Sequence, residues 1–182
     1  MNGYIEDLRR AINNINYEKV EKLIDYIKCA RSKGNWLYII GNGGSAANAN
    51  HIANDMIYGA NKNVEDSKKL KCAALTSNVA IVTCFANDNG FENIFSSQLD
   101  AIAEDGDILL VLSGSGNSPN LVKAIQKSKE KSMRSIGILG FDGGKCKSLV
   151  DMAILVGVND MQVSEDMQLV VGHMCMKALC EE

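Results

Sequence analysis

Apolar residues along this chain fall into two rhythms. Near the amino end they recur every three to four positions. In "YEKVEKLIDYIKCARSKG", Val20, Leu23, Ile24 and Ile27 form one stripe, while Lys19, Glu21, Lys22 and Lys28 fall outside it. That spacing predicts an amphipathic helix ending at Gly34, preceded by a shorter helix in "YIEDLRRAINN". From residue 36 the pattern changes. The runs "WLYII" (36–40), "CAALT" (72–76), "DILLVLS" (107–113), "SIGILGF" (135–141) and "MAILVGV" (152–158) are apolar at nearly every position. Each leads into Gly, Ser, Asn or Asp, which is how parallel strands covered on both faces look. Helical patterns fill 45–58, 78–85, 92–103, 118–131 and 163–180. The alternation predicts an α/β fold: a doubly wound, flavodoxin-like parallel sheet of about five strands in a three-layer α/β/α sandwich. The length suits one core, so we read 1–182 as a single domain, with 1–34 a helical lead-in and 35–182 the α/β part.

Composition narrows the partners. With a net charge of −3, the chain offers no basic field for nucleic acid or an anionic membrane. An anionic ligand would have to be met by local backbone donors. "MNGYIEDLRRAINN" has early acids and no apolar signal segment, and no run approaches the roughly 18 apolar residues of a membrane span. A cytoplasmic protein is therefore expected. The six cysteines (29, 72, 84, 146, 175 and 180) form no C-x-x-C pair and read as buried, reduced thiols.

Ligands of doubly wound sheets bind at the carboxyl ends of the strands, so the loops after them carry the candidate chemistry. The first, Gly41-Asn42-Gly43-Gly44-Ser45-Ala46, matches the dinucleotide pattern G-x-G-x-x-A. That pattern also wants an acid at the end of the second strand, and "ALTSN" supplies none. What survives is glycine-exposed backbone N–H groups at a helix start, suited to an anion. The second loop, "LSGSGNSPNLVKAI" (112–125), places Ser113, Ser115 and Ser118 among Gly114 and Gly116. Ser118 reads as an N-cap and Pro119, the single proline, as N1. Hydroxyls, orphan amides and a helix dipole converge there, which fits a phosphate monoester. No G-K-[ST] follows, so it is not a nucleoside triphosphate loop. The third loop, "FANDNGFENIF" (85–95), offers Asn87 and Asp88, for sugar hydroxyls or simply for a turn.

Only two histidines occur. His51 has Asp55 four residues on, on the same helix face, a spacing that suits two ligands of one metal or a solvated surface pair. His173 lies in the apolar C-terminal helix, with Glu165 eight and Asp166 seven residues before it. Helical geometry alone does not choose between these acids.

"GNGGSAANANHIAND", "FANDNGFENIF", "LSGSGNSPNLVKAI" and "SEDMQLVVGHMCMKALC" follow one another as in the phosphoheptose isomerases, which the chain resembles over nearly its whole length. These enzymes are members of the sugar isomerase (SIS) family. The resemblance implies an aldose–ketose isomerase acting on a sugar phosphate, sedoheptulose 7-phosphate first of all, for surface polysaccharide heptose. It implies a homotetramer with active sites shared between subunits and one zinc ion per site. Carried over by motif, the metal set is His51, Asp55, Glu165 and His173. Ser113, Ser115 and Ser118, with Gly114, would take the phosphate, and Asn42, Gly43, Gly44, Ser45, Asn87 and Asp88 the sugar. Asp55 would be the base with Glu165 as contender, and His173 the acid. Two departures stand out: the family usually has Glu at position 55 and Gln at position 165. Another sugar phosphate, or a noncatalytic module binding a phosphosugar or a protein, are the alternatives.

Overall fold

Five strands pair in parallel in the computed structural model, which describes residues 2–62, 64–65 and 68–181. They are β1 (Trp36–Ile40), β2 (Lys71–Ala74), β3 (Ile108–Ser113), β4 (Arg134–Leu139) and β5 (Met152–Leu155), in spatial order β2-β1-β3-β4-β5. Strand residues alternate between two cores. Leu37, Ile39, Ile108, Leu110, Ile136 and Ile138 face helices α1 (Asn2–Asn14), α2 (Tyr17–Lys33), α3 (Gly44–Asn54) and α8 (Met161–Cys180). Tyr38, Ile40, Leu109, Val111 and Leu139 face α5 (Ser96–Ile102), α6 (Pro119–Glu130) and α7 (Gly144–Leu149). Central β3 is buried at every position, so its continuous apolar run has the cause assigned to it from sequence. The expected three-layer architecture is present.

The punctuation residues act as their chemistry dictates. Asn16 caps α2 by accepting from the Lys19 amide, and Gly34 closes the helix at φ 71°, a left-handed conformation open to glycine. Three of the expected helices need correction. The helix expected over 45–58 is α-helical to Asn54 and continues as a π turn, Asp55–Gly59. The helix expected over 78–85 runs on as α4 (Val79–Asn89). The one expected over 92–103 divides into a 3-10 turn, Phe91–Asn93, and α5. Helix α7 escaped sequence reading because it is one turn and a half, introduced by two positive-φ glycines, Gly143 and Gly144. The thiols also divide: Cys72, Cys146 and Cys175 are buried, whereas Cys29, Cys84 and Cys180 are exposed.

Helix α8 closes against α3, and the contact is intimate because residue 172 has no side chain. A Cβ on Gly172 would stand 2.7 Å from Ile52 Cγ1. This approach sets the distance between His51 on α3 and His173 on α8.

Candidate active site

His51 and His173, 122 residues apart, meet with their Nε2 atoms 3.0 Å apart. Asp55 Oδ2 lies 3.4 Å from His51 Nε2 and 3.3 Å from His173 Nε2. The imidazoles are about half exposed, at 50% and 46%, while the Asp55 side chain is held in at 17%. Asp55 begins the π turn yet its amide still donates to the His51 carbonyl, so the i,i+4 relation of the α-helix is kept. π turns recur at functional sites because they offset a helix face by one residue.

These three donor atoms make a nearly equilateral triangle. Tetrahedral zinc with arms of about 2.0–2.1 Å requires donor–donor edges of about 3.3–3.4 Å. Two imidazole nitrogens and a carboxylate oxygen are also the donor types such an ion takes. The residues therefore fit a divalent cation, with the exposed side of the triangle left for substrate. Glu165, expected in the same group, is not within it. Its carboxylate rests on the backbone of Gly44 instead, where a Cβ on that glycine would come within 2.3 Å of Oε2.

The first loop is used differently from expectation. Ser45 is buried, and its Oγ accepts from Gln168 Nε2 at 3.0 Å rather than facing a ligand. Asn42 exchanges two amide hydrogen bonds with Asn120, of 2.9 and 2.8 Å, so it ties the first loop to the second. Gly43 holds a positive φ of 54° as N-cap of α3 and, like Gly44, is exposed. These two glycines remain the part of the loop open to a ligand.

In the serine loop, Ser113 is buried and accepts from the Gly116 amide at 2.9 Å, shaping the turn. Ser115 Oγ accepts from the Asn117 amide. Ser118 occupies the N-cap of α6 with Pro119 after it, as expected, but its side chain makes no cap hydrogen bond. That leaves its hydroxyl for a ligand. Gly116 at φ 65° passes so close to the β4–α7 loop that a Cβ would lie 2.0 Å from Gly143 O. Gly114 is equally confined, by Met161 Sδ at 2.1 Å from its Cβ position.

Asn87 and Asp88 sit in the last turn of α4, not in a loop, with Asn87 Nδ2 donating to Asp88 Oδ1. They are exposed and do not line the nearby cleft of about 180 Å³, formed by Gly41, Asn42, Gly43, Thr76, Phe91 and Phe95 among others. A larger cavity of about 560 Å³ opens at the amino ends of the strands, beside Tyr26, Lys33 and Arg134. It contains neither histidine.

Sequence reading missed Asn48, Asn120 and Gln168. Asn48 Nδ2 donates both to the Glu165 carbonyl at 2.9 Å and to Gln168 Oε1 at 3.0 Å. Gln168 is fully buried within the apolar stripe of α8 that includes Met167, Val171 and Cys175. A polar residue in such a stripe signals a buried hydrogen bond.

The family model described as "SIS domain" matches residues 3–140, a span that holds the glycine loop, the serine loop and His51. A phosphoheptose isomerase of Aneurinibacillus thermoaerophilus is 35% identical over 191 aligned positions, covering 100% of this chain and 94% of that one. Another, from Clostridium acetobutylicum, is 35% identical over 170 positions, covering 93% and 85%. The structure of phosphoheptose isomerase from Neisseria gonorrhoeae superposes with a TM-score of 0.88 at 26% identity, covering 98% of this chain and 93% of that one. The chain belongs to the phosphoheptose isomerase family of SIS domains.

Proposed function

We propose that the protein interconverts sedoheptulose 7-phosphate and D-glycero-D-manno-heptose 7-phosphate in the cytoplasm, supplying heptose for a surface polysaccharide. The observation that carries this reading is the convergence of His51, Asp55 and His173 in one triangle of metal-ligand donors. The full-length relatives named phosphoheptose isomerase support the choice of substrate. All 182 residues are read as one SIS domain.

Binding follows from the loops. The Ser115 and Ser118 hydroxyls and the α6 amino terminus hold the phosphate, and Gly43 and Gly44 let the sugar lie close to backbone. A phosphate fixed at one end positions C1 and C2 at the histidine end, replacing a search in solution by a held geometry. His51, Asp55 and His173 would hold zinc, which when bound polarises the sugar's carbonyl and hydroxyl oxygens. His173 exchanges a proton with those oxygens, and a carboxylate carries the carbon-bound proton.

The proposed assembly is a homotetramer whose active sites lie between subunits. Helix α4 supports it: "VAIVTCFANDN" is largely apolar, yet none of its residues is buried. The decisive assay follows sedoheptulose 7-phosphate conversion with and without chelator and added zinc. Turnover lost to chelator and restored by zinc is expected, and inactivity under both conditions would point to a different sugar phosphate. His173→Ala should cut turnover at least about 100-fold while the circular dichroism spectrum is unchanged.

A further inference from the structure

The two carboxylates of the site stand in opposite circumstances. Asp55 Oδ2 is committed, within 3.4 Å of one imidazole nitrogen and 3.3 Å of another. The Glu165 carboxylate has no hydrogen-bond or ion-pair partner among the described residues and rests against Gly44 at the start of α3. Its placement is built, not incidental. Asn48 grips the Glu165 carbonyl, and the Asn48–Gln168–Ser45 chain pins this turn of α8 to the first turn of α3. The glycine beneath is the one residue type that leaves room for the carboxylate.

The geometry points to Glu165, rather than Asp55, as the catalytic base that moves the proton between C1 and C2, with Asp55 kept as a cation ligand. This rests on the isomerase reading above. From the ketose, Glu165 takes a proton from C1, and the C1–H electron pair forms the C1=C2 bond as O2 takes a proton from His173. The protonated Glu165 then gives its proton to C2, and the hydroxyl proton on O1 returns to His173 as the C1 carbonyl forms. A carboxylate whose lone pairs already serve two imidazoles, or a cation between them, is poorly placed for the first step. An unpartnered one against the sugar loop is well placed.

Three variants test the division of labour: Glu165→Gln, Asp55→Asn and Gly44→Ala. Zinc binding is read by equilibrium dialysis with Zn²⁺ alone, and catalysis by kcat, KM and exchange of the C1 proton of sedoheptulose 7-phosphate in D₂O. Glu165→Gln should bind zinc within about twofold of the unaltered protein and keep KM within about threefold, while kcat and C1 exchange fall at least about 100-fold. Asp55→Asn should lose zinc affinity at least about tenfold. Gly44→Ala pushes the flexible carboxylate aside without removing it, so kcat should drop while the melting temperature holds. Glu165→Gln retaining more than a third of kcat overturns the assignment. So does loss of zinc by Glu165→Gln as severe as that of Asp55→Asn, which would make Glu165 a ligand. If the unaltered protein turns over no sedoheptulose 7-phosphate, the substrate reading fails, and the zinc comparison alone still decides whether Glu165 belongs to the cation site.

Discussion

Asn120 and Asn42 show how much a single residue can depend on a partner 78 positions away. Asn120 is 1% exposed, and its amide is satisfied only because Asn42 faces it with donor matched to acceptor in both directions. Removing one amide leaves the other without its partner. Asn120→Ala should cost about 1–3 kcal/mol in urea unfolding, more than its contact area alone implies, and should raise KM by loosening the link between the two loops. The thiols give a second prediction at this scale. Desolvation pushes Cys72 and Cys175 up to about 12, and Cys146 to about 11. In the unfolded chain these thiols ionise near their ordinary value of about 8.5. Their native pKa values are raised, so the stability they contribute is fully present below the unfolded pKa and is lost as pH rises above it. As pH rises from about 9 toward 11 the unfolding free energy should therefore fall, to be read from urea midpoints across that range. A thiol reagent at pH 8 should label Cys29 and Cys180 in the native protein and Cys72, Cys146 and Cys175 only in denaturant, checked by mass spectrometry of the peptides.

At the scale of elements, the site is a property of how α3 and α8 touch. Sequence patterning gives both helices and places His51 and His173 on them, but periodicity says nothing about which faces meet. That information lies in Gly172, whose missing Cβ admits Ile52, and in Gln168, whose amide reaches Ser45. The π turn at Asp55 was likewise illegible, because a one-residue offset leaves the local apolar pattern intact. Gly172→Val places branched carbons where Ile52 stands, so α8 must move outward. Overpacking of this kind costs about 1–3 kcal/mol, to be read from the shift in denaturation midpoint. The same displacement separates the histidines, and zinc affinity should fall at least about tenfold although no donor has changed. Gly172→Ala, with a single methyl, should show the same two effects in smaller measure.

For the whole molecule, the five-stranded parallel sheet was the most legible feature, because fully apolar runs ending in turn residues have few other solutions in an α/β chain. In the serine loop the start of α6 was legible because Ser118-Pro119 marks a helix start by local chemistry alone. The surroundings of Ser45, Asn42, Asn87 and Asp88 were less legible. A polar side chain in a loop reads the same from sequence whether it meets a ligand, a distant loop or a second subunit. Asn87 and Asp88 lie near the end of α4, a helix that Val79 opens at 70% exposed and Phe91 follows at 57%. Exposed large apolar side chains of this kind suit an interface. A second copy seated there would bury these residues and carry Asn87 and Asp88 toward an active site. Light scattering should therefore give four times the 19.7 kDa chain mass. Val79→Glu, which puts a charge into that interface, should shift the mass toward monomer or dimer with the fold retained by circular dichroism. If the active sites are shared, turnover falls with the mass and recovers at high protein concentration. A monomer that works at full rate would place the whole site within one chain.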